Sequence, residues 1–288
     1  MGQKIIILLK KILIILFIFE YSCKEEEIIN LDNNIEKQLV VFSEMTDKDT
    51  IQFVYLSTTF SEFSDYEENN PVSNANVYIY NQNDTITLLE NPNEKGTYYT
   101  TNTFIPKQNI TYTLVIGNVD INNDGIIETY SANTTMGKTM DIESMNIYYD
   151  NNKDGWNICM TGNEPGETKN YYLFRVYKND TLITKKITDY RISNDEYYNG
   201  SELENVIVQF LDEDEGQIIK NNDIITLEVA GITQGYYQFL HNIKEETDDD
   251  IAFFQGPSAQ ISGNISNNTP GYFAIMSVSR ESCIYIGD

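Results

Sequence analysis

Two aspartate-rich turns are the residues of this sequence whose types and spacing come closest to metal-binding chemistry. The chain reads Asp-Ile-Asn-Asn-Asp-Gly at residues 120–125 and Asp-Asn-Asn-Lys-Asp-Gly at residues 150–155, so both turns follow the pattern D-x-N-x-D-G. A Ca²⁺ loop uses alternating oxygen ligands and a glycine at its sharp turn. The first turn therefore supplies the candidate calcium ligands, which are Asp120, Asn122, Asp124 and Glu128.

Both turns also depart from a complete calcium loop. An EF-hand loop has a glutamate at its twelfth position, whereas this sequence has Ser131 and Thr161 there. Lys153 lies inside the second turn and opposes a divalent cation. Runs of Asn, Asp and Gly between strands are also typical of ordinary hairpin turns. Calcium binding and plain turn formation are therefore two open interpretations of these residues.

Catalytic chemistry has little support in the sequence. His241 is the only histidine, so there is no His-His metal motif, and a histidine-based triad would have only this base. This histidine falls in a predicted helix, and no nucleophile is paired with it by spacing. We therefore predict that the protein is not an enzyme, and we assign no catalytic residue.

The N-terminus predicts export and lipid modification at a cysteine. Positive residues at the start are followed by eight apolar residues, Ile12 to Phe19, which is the length of a signal-peptide core and too short to span a membrane. Ser22 then precedes Cys23, as a lipoprotein signal peptidase requires, although Glu20 replaces the usual leucine. The sequence therefore predicts a signal peptide over residues 1–22 and acylation of Cys23, the first residue of the mature chain.

Two cysteines remain after Cys23 is assigned to the lipid anchor, Cys159 and Cys283. Outside the cytoplasm these two thiols are candidates for a disulfide that would close a long loop. Sequence alone does not say whether their Cα atoms come within about 7 Å of each other, so the pairing is left open.

The charge of the chain limits its partners. The formal net charge is −25, and such an acidic body repels phosphate backbones. We therefore exclude nucleic acid as a partner. The same charge disfavours direct docking on anionic lipid head groups, so the lipid anchor is the predicted link to the membrane.

The elements that position these residues are predicted to be mostly short strands. Segments rich in Ile, Val, Tyr and Thr alternate with Asn/Asp/Gly turns, which favours a β-sandwich over a βαβ fold. The first set of predicted strands is Leu39–Ser43, Gln52–Thr58, Asn76–Tyr80, Thr85–Leu89, Gly96–Thr101, Thr111–Ile116 and Ile127–Ala132. The second set is Met145–Tyr149, Trp156–Met160, Tyr171–Tyr177, Thr181–Ile187, Val206–Phe210, Ile224–Val229 and Tyr272–Val278.

One segment predicts a helix. Residues 233–246 place Tyr236, Phe239, Leu240 and Ile243 on one helical face, and Thr233 is the predicted N-cap. The predicted fold is therefore mainly β, with an immunoglobulin-like sandwich over residues 37–135 and a second β-rich domain with one helix over residues 145–288. An acidic tether, residues 23–36, joins the lipid anchor to the first domain.

Several blocks along the chain resemble one family of bacterial lipoproteins. The C-terminal block is the clearest, because Pro257, Gly263-Asn264-Ile265 and Gly271-Tyr272-Phe273 stand in the order of the family's ending. Five further blocks resemble it in the same order, and they are LVVFSEMT, PVSNANVYIYN, GTYYTTNTFIPKQNITYTLVI, EPGETKNYYLFRVY and NNDIITLEVAGITQGYYQFLHNI. On these blocks the chain resembles the Bacteroidetes outer-membrane lipoprotein family named domain of unknown function 4249.

The resemblance implies a cellular location and a function. Members of the family are surface-exposed outer-membrane lipoproteins, commonly encoded beside a TonB-dependent transporter, and the family has no established catalytic residues. The acidic run Lys24 to Glu27 resembles the export tag that sends such lipoproteins to the outer face of the outer membrane. We therefore expect a non-enzymatic accessory of a TonB-dependent transporter in nutrient binding or uptake. The alternative is a calcium-stabilised, adhesin-like or structural cell-surface module.

Overall fold

The computed structural model describes residues 37–59, 70–166, 168–246 and 261–287. The predicted signal peptide (residues 1–22), the acylated Cys23 and the acidic tether (residues 23–36) lie outside these described residues. Within the described ranges, no helix has the length and apolar character needed to cross a membrane.

The described residues form fifteen strands and one α-helix. The strands of the first half are β1 (Leu39–Thr46), β2 (Phe53–Thr58), β3 (Asn76–Tyr80), β4 (Thr85–Asn91), β5 (Glu94–Thr100), β6 (Thr111–Val119) and β7 (Glu128–Thr135). The second half contains β8 (Asp141–Asp150), β9 (Gly155–Asn163), β10 (Tyr171–Lys178), β11 (Thr181–Leu182), β12 (Arg191–Asn194), β13 (Glu202–Asp212), β14 (Ile224–Ile232), α1 (Gln234–Glu246) and β15 (Gly271–Ile284). Two short 3-10 helices span Ile187–Asp189 and Ser266–Asn268.

The strands pair into two sheets. Twelve strands form one sheet in the order β11-β10-β14-β15-β1-β2-β5-β4-β3-β6-β7, with β12 also paired to β10. The other three strands form a separate sheet in the order β13-β9-β8. Most neighbours are antiparallel, as short strands joined by tight turns require.

The last strand, β15, joins the two halves of the chain. Its first part runs parallel to β1, from Val41 opposite Gly271 to Thr46 opposite Met276. Its second part is antiparallel to β14, with Ser277 opposite Gly231. Strand β15 therefore pairs with a strand from each half of the chain. The division into two domains near residues 135–145 stays a prediction.

The first half of the chain encloses its own core. The buried side chains of β2, such as Val54 and Leu56, belong to the same cluster as Leu114 and Ile116 of β6. Phe273 and Ile275 of β15 complete this cluster from the far end of the chain. The predicted mainly β fold is confirmed, with a sandwich-like arrangement in which inward-facing residues of opposed strands share one core.

In the second half, helix α1 packs on one face of strands β10 and β14, and the three-stranded sheet packs on the other. Tyr171 and Leu173 of β10 pack in the cluster that contains helix α1. Phe174 and Val176 pack instead with the sheet formed by β8, β9 and β13. This division follows from the period of two in a strand, which turns successive side chains to opposite faces.

Helix α1 agrees with its prediction in span, face and cap. It covers Gln234–Glu246 and buries Tyr236, Phe239, Leu240 and Ile243. The hydroxyl of Thr233 accepts a hydrogen bond of 3.1 Å from the backbone N–H of Tyr236, which makes this threonine the N-cap.

One predicted strand is wrong and one strand was missed. The segment Thr181–Ile187 is a strand only at Thr181–Leu182, and the chain then enters the 3-10 helix Ile187–Asp189. The carboxylate of Asp189 accepts a 2.9 Å hydrogen bond from the backbone N–H of Lys186, which fixes the turn in place of a strand. The missed strand is β12, whose four residues pair with β10 and are too short for their pattern to be distinctive.

Candidate functional site

A cleft at one end of the first-half sandwich is the candidate binding site. Its volume is about 650 Å³, within the range of small-molecule sites in proteins. One wall is the turn from β3 to β4, residues 81–86, and the other wall is the connection into β6, residues 104–112. We call this space the hairpin cleft.

The first wall of the hairpin cleft is fixed by an asparagine. The side-chain oxygen of Asn81 accepts hydrogen bonds from the backbone N–H groups of Asn83 and Asp84, at 2.8 and 2.9 Å. The backbone N–H of Asn81 in turn donates to the carbonyl of Asp84 at 3.0 Å. An asparagine that binds its own backbone two residues on is a common turn-former. This turn leaves Asn83, Asp84 and Thr85 exposed at the rim.

The second wall is held by bonds to the sandwich behind it. The backbone N–H of Phe104 donates to the carbonyl of Thr50 at 3.1 Å, and the Gln52 amide donates to the carbonyl of Phe104 at 3.3 Å. The hydroxyl of Tyr112 accepts a 2.9 Å hydrogen bond from the backbone N–H of Lys107. The rings of Phe104 and Tyr112 meet edge to face at 5.6 Å. The wall is therefore built on the core and does not depend on a ligand for its position.

The lining of the hairpin cleft combines polar and apolar groups. Asn, Gln and Thr side chains supply donors and acceptors, while Asp84 and Lys107 supply one charge of each sign. Ile105 has 51% of its surface exposed, and Ile86 is half-buried. Such a surface can hold a polar ligand that also has an apolar face.

The first aspartate-rich turn gathers its predicted residues through backbone bonds. The two carboxylate oxygens of Asp120 accept hydrogen bonds from the N–H groups of Asp124 and Gly125, at 3.1 and 3.0 Å. Glu128 accepts a 3.2 Å bond from the N–H of Ile121. In the part of the chain that the structure describes, no group of three or more His, Cys, Asp or Glu side chains is arranged to hold a metal ion. Calcium binding and plain turn formation stay the two interpretations of Asp120, Asn122, Asp124 and Glu128.

The second aspartate-rich turn is the hairpin between β8 and β9. Asp150 accepts a 3.0 Å bond from the N–H of Asn152, and Asp150 is paired with Gly155 across the turn. The ammonium group of Lys153 lies 5.8 Å from the ring centre of Phe210. Turn formation thus accounts for the residue types at these positions.

The structure does not bring the two remaining cysteines together. Cys159 is buried on β9 in the three-stranded sheet, whereas Cys283 is half-buried on β15 in the large sheet, and both are free thiols. Burial raises the pKa of each thiol. His241, the lone histidine, is exposed on α1, where its ring lies 6.3 Å from that of Tyr237.

A buried ionic network lies under helix α1, and sequence analysis did not find it. Arg175 of β10 contacts Glu44 of β1 at 2.9 Å, and Glu228 of β14 contacts Arg280 of β15 at 2.5 Å. The hydroxyl of Tyr236 on α1 donates to Glu44 at 2.5 Å. Burial would lower the pKa of Arg175, but the nearby Glu44 carboxylate and further acidic groups raise it well above its ordinary value. Because two arginines face two carboxylates, the network is neutral as a whole.

The sequence signal for this network is a single residue. Arg175 interrupts the otherwise apolar run YYLFRVY, and the period of two places it on the face of Tyr171 and Leu173, under the helix. A buried charge needs a partner. The partners come from strands far away in sequence, so spacing alone does not identify them.

A second buried polar cluster ties a loop to β10. One oxygen of Glu164 accepts bonds from the side-chain amide of Asn170 at 2.8 Å and from the hydroxyl of Tyr172 at 2.6 Å. Its other oxygen accepts a bond from the N–H of Gly200 at 2.5 Å. Burial, followed by the bond to Glu164, raises the pKa of Tyr172. This arrangement satisfies the carboxylate with donors, which a buried charge requires.

The C-terminal block that resembles a known family has a clear structural role. The side-chain amide of Asn264 donates to the carbonyl of Phe273 at 2.8 Å, and its oxygen accepts from the N–H of Phe273 at 2.9 Å. The side chain therefore replaces a neighbouring strand at the start of β15. A side chain at Gly271, whose φ is +110°, would meet the carbonyl of Val41 at 1.8 Å, so this position needs glycine.

Comparison with known proteins supports the resemblance. A family model described as "Domain of unknown function (DUF4249)" matches residues 25–282, nearly the whole chain. A search of curated proteins gave no match. The matched segment includes every strand described above except the last two residues of β15. On this match, the chain belongs to the family of domain of unknown function 4249.

Proposed function

We propose that this protein is a non-enzymatic outer-membrane lipoprotein, exposed at the cell surface, that binds a nutrient as an accessory to a TonB-dependent transporter. The observation that carries the binding role is the hairpin cleft, a preformed space of about 650 Å³ with a mixed polar and apolar lining. The membership in the family of domain of unknown function 4249 is consistent with this proposal.

The proposed membrane link is the lipid anchor at Cys23. The acyl chains on that cysteine would hold the protein stably, since two lipid signals suffice where one is marginal. The acidic tether, residues 23–36, would link the anchor to the folded body, and the net charge of −25 of the whole chain disfavours its contact with an anionic membrane surface. The hairpin cleft would then be accessible to ligands outside the cell.

Metabolic labelling and protease treatment of the native host test the anchor and the surface exposure together. Cells fed radiolabelled palmitate should label the wild-type protein, and a Cys23→Ala variant should lose the label. Protease added to intact cells should digest the wild-type body. A labelled protein that is degraded only after the outer membrane is opened would contradict surface exposure, and an unlabelled wild-type protein would contradict the anchor.

A further inference from the structure

Strand β4 has an unpaired edge beside the hairpin cleft. It pairs with β3 along Thr85 to Leu88, but with β5 only from Leu88 onward. Strand β5 ends at Thr100, which lies opposite Leu88 and whose backbone N–H donates to the carbonyl of Gln52, on the other side of β5, at 3.0 Å. Residues 85–87 of β4 therefore have no strand partner on the β5 side within the described ranges, and Thr85 and Ile86 line the cleft.

The backbone groups at this edge face the open side. Asn81 and Asp84 form a hydrogen-bonded pair at the turn, and such pairs alternate with non-bonded pairs along an antiparallel ladder. By this alternation, the backbone N–H and C=O groups of Ile86 bond to β3, whereas those of Thr85 and Thr87 point away from β3. An unpaired strand edge of this kind is a template for another strand.

At the same place, part of the hydrophobic core of the first half is incompletely buried. Leu88 is buried, but Ile86, the preceding inward-facing residue of β4, is only half-buried. Phe104 and Ile110 pack against the core and also line the cleft. An added strand would pair with the edge of β4 and cover these apolar groups at once.

We propose that the hairpin cleft binds an extended peptide, which adds to residues 85–87 of β4 as an extra strand. Main-chain hydrogen bonds would give the affinity, and the apolar floor would select an apolar side chain at every second position. The net charge of −25 favours basic residues at the others. This inference rests on the proposed function in that it specifies the ligand of the same cleft. The peptide is a free nutrient, the class of ligand that the proposed function assigns to this cleft.

Binding of defined peptides to the full-length protein in mild detergent tests this proposal. The probe is a fluorescent hexapeptide of alternating valine and lysine, measured by fluorescence anisotropy. Two derivatives carry N-methyl groups, one on the valines and one on the lysines. Since only every second N–H of an added strand faces β4, one derivative should bind at least tenfold more weakly, while the other should bind like the parent.

Variants at one position of the protein give a second test. Thr87→Pro removes an N–H from the open edge and should weaken peptide binding at least tenfold. Thr87→Val keeps that N–H at nearly the same shape and should bind like the wild type. Circular dichroism and urea unfolding show whether the proline variant is folded. If it is not folded, the two N-methyl peptides test the proposal with the wild-type protein.

Three outcomes would overturn the proposal. They are no binding of the parent peptide, equal binding of both N-methyl derivatives, and competition for the cleft by a neutral oligosaccharide such as maltohexaose but not by peptide. Acid elution of protein purified from the native host then identifies the origin of the bound peptide, since it releases a free peptide but not a segment of an intact partner. A transporter association measured separately would survive the failure of this inference, so the two claims are distinguishable.

Discussion

Glu44 of β1 and Arg175 of β10 form a buried ion pair of 2.9 Å, with 10% and 8% of their side-chain surfaces exposed. The two residues come from the segments predicted as separate domains, residues 37–135 and residues 145–288. The pair lies under helix α1, since Tyr236 of that helix also donates a hydrogen bond to Glu44. The first strand of the chain is thereby tied to the helix and to the centre of the second half.

Removing one partner of this pair should be strongly destabilising. In a Glu44→Ala variant, the one carboxylate left in contact with Arg175 among the described residues would be that of Glu228 at 3.9 Å, and an incompletely paired buried charge costs about 3–5 kcal/mol. Urea unfolding should show that loss. Glu215→Ala is the matched control, because its pair with Lys186 at 3.1 Å is exposed and should contribute less than about 1 kcal/mol. Equal losses in the two variants would contradict a structural role for the network.

Stability should fall in alkaline solution. Burial, followed by the Glu44 carboxylate, raises the pKa of Tyr236 well above its ordinary value of 10.0. Above pH 10 the unfolded chain loses this proton while the folded chain keeps it, so stability is present below pH 10 and declines as the pH rises toward the folded-state pKa. Urea midpoints measured from pH 8 to 11 should show the decline, and a Tyr236→Phe variant should show less of it. A midpoint that stays constant to pH 11 would refute this assignment.

The side chain of Asn264 should stabilise the start of β15. An Asn264→Ala variant removes three hydrogen bonds, one to the carbonyl of Asn133 and two that leave the backbone groups of Phe273 without these partners, which costs about 1–3 kcal/mol. Thermal unfolding should show a lower melting temperature. As a control, Asn242→Ala removes an amide that is bonded only to Gln238 on the surface of α1, and it should change stability little. A neutral Asn264→Ala variant would count against the strand-like role of this amide.

Chelation should leave the melting temperature unchanged. The two carboxylate oxygens of Asp120 each already accept a hydrogen bond from a backbone N–H, and the carboxylate of Glu128 accepts a third within the same turn. These bonds stabilise the turn without a cation. Differential scanning calorimetry with and without EDTA measures the effect, and a clear drop with EDTA that calcium reverses would establish the calcium site. An Asp150→Ala variant, in the second turn, shows how far the melting temperature falls when only the hydrogen bonds of a turn are lost.

The sequence predicts the local features of this fold well. Helix α1 follows from its apolar face and its threonine cap, and most strands follow from β-branched and aromatic runs between Asn/Asp/Gly turns. These signals are local, because period and turn chemistry act within a few residues. The D-x-N-x-D-G pattern is local as well, and it fits a hairpin turn and a calcium loop alike.

The features that the sequence does not reveal depend on residues far apart in the chain. The double role of β15 depends on β1, more than two hundred residues earlier, as well as on β14. The partners of Arg175 come from strands that sequence spacing does not relate to it. The edge of β4 beside the hairpin cleft is unpaired because β5 ends at Thr100, opposite Leu88, and no residue pattern in β4 indicates where its neighbour ends.

Purification of the tagged protein from the outer membrane of its native host, in mild detergent, tests the proposed function most directly. Mass spectrometry of the purified material identifies what accompanies the lipoprotein and in what ratio. The proposal predicts stoichiometric recovery of a TonB-dependent barrel with the wild type, and loss of that barrel with the Cys23→Ala variant. Recovery of the anchored lipoprotein alone would contradict the accessory role and would favour an independent, adhesin-like surface module.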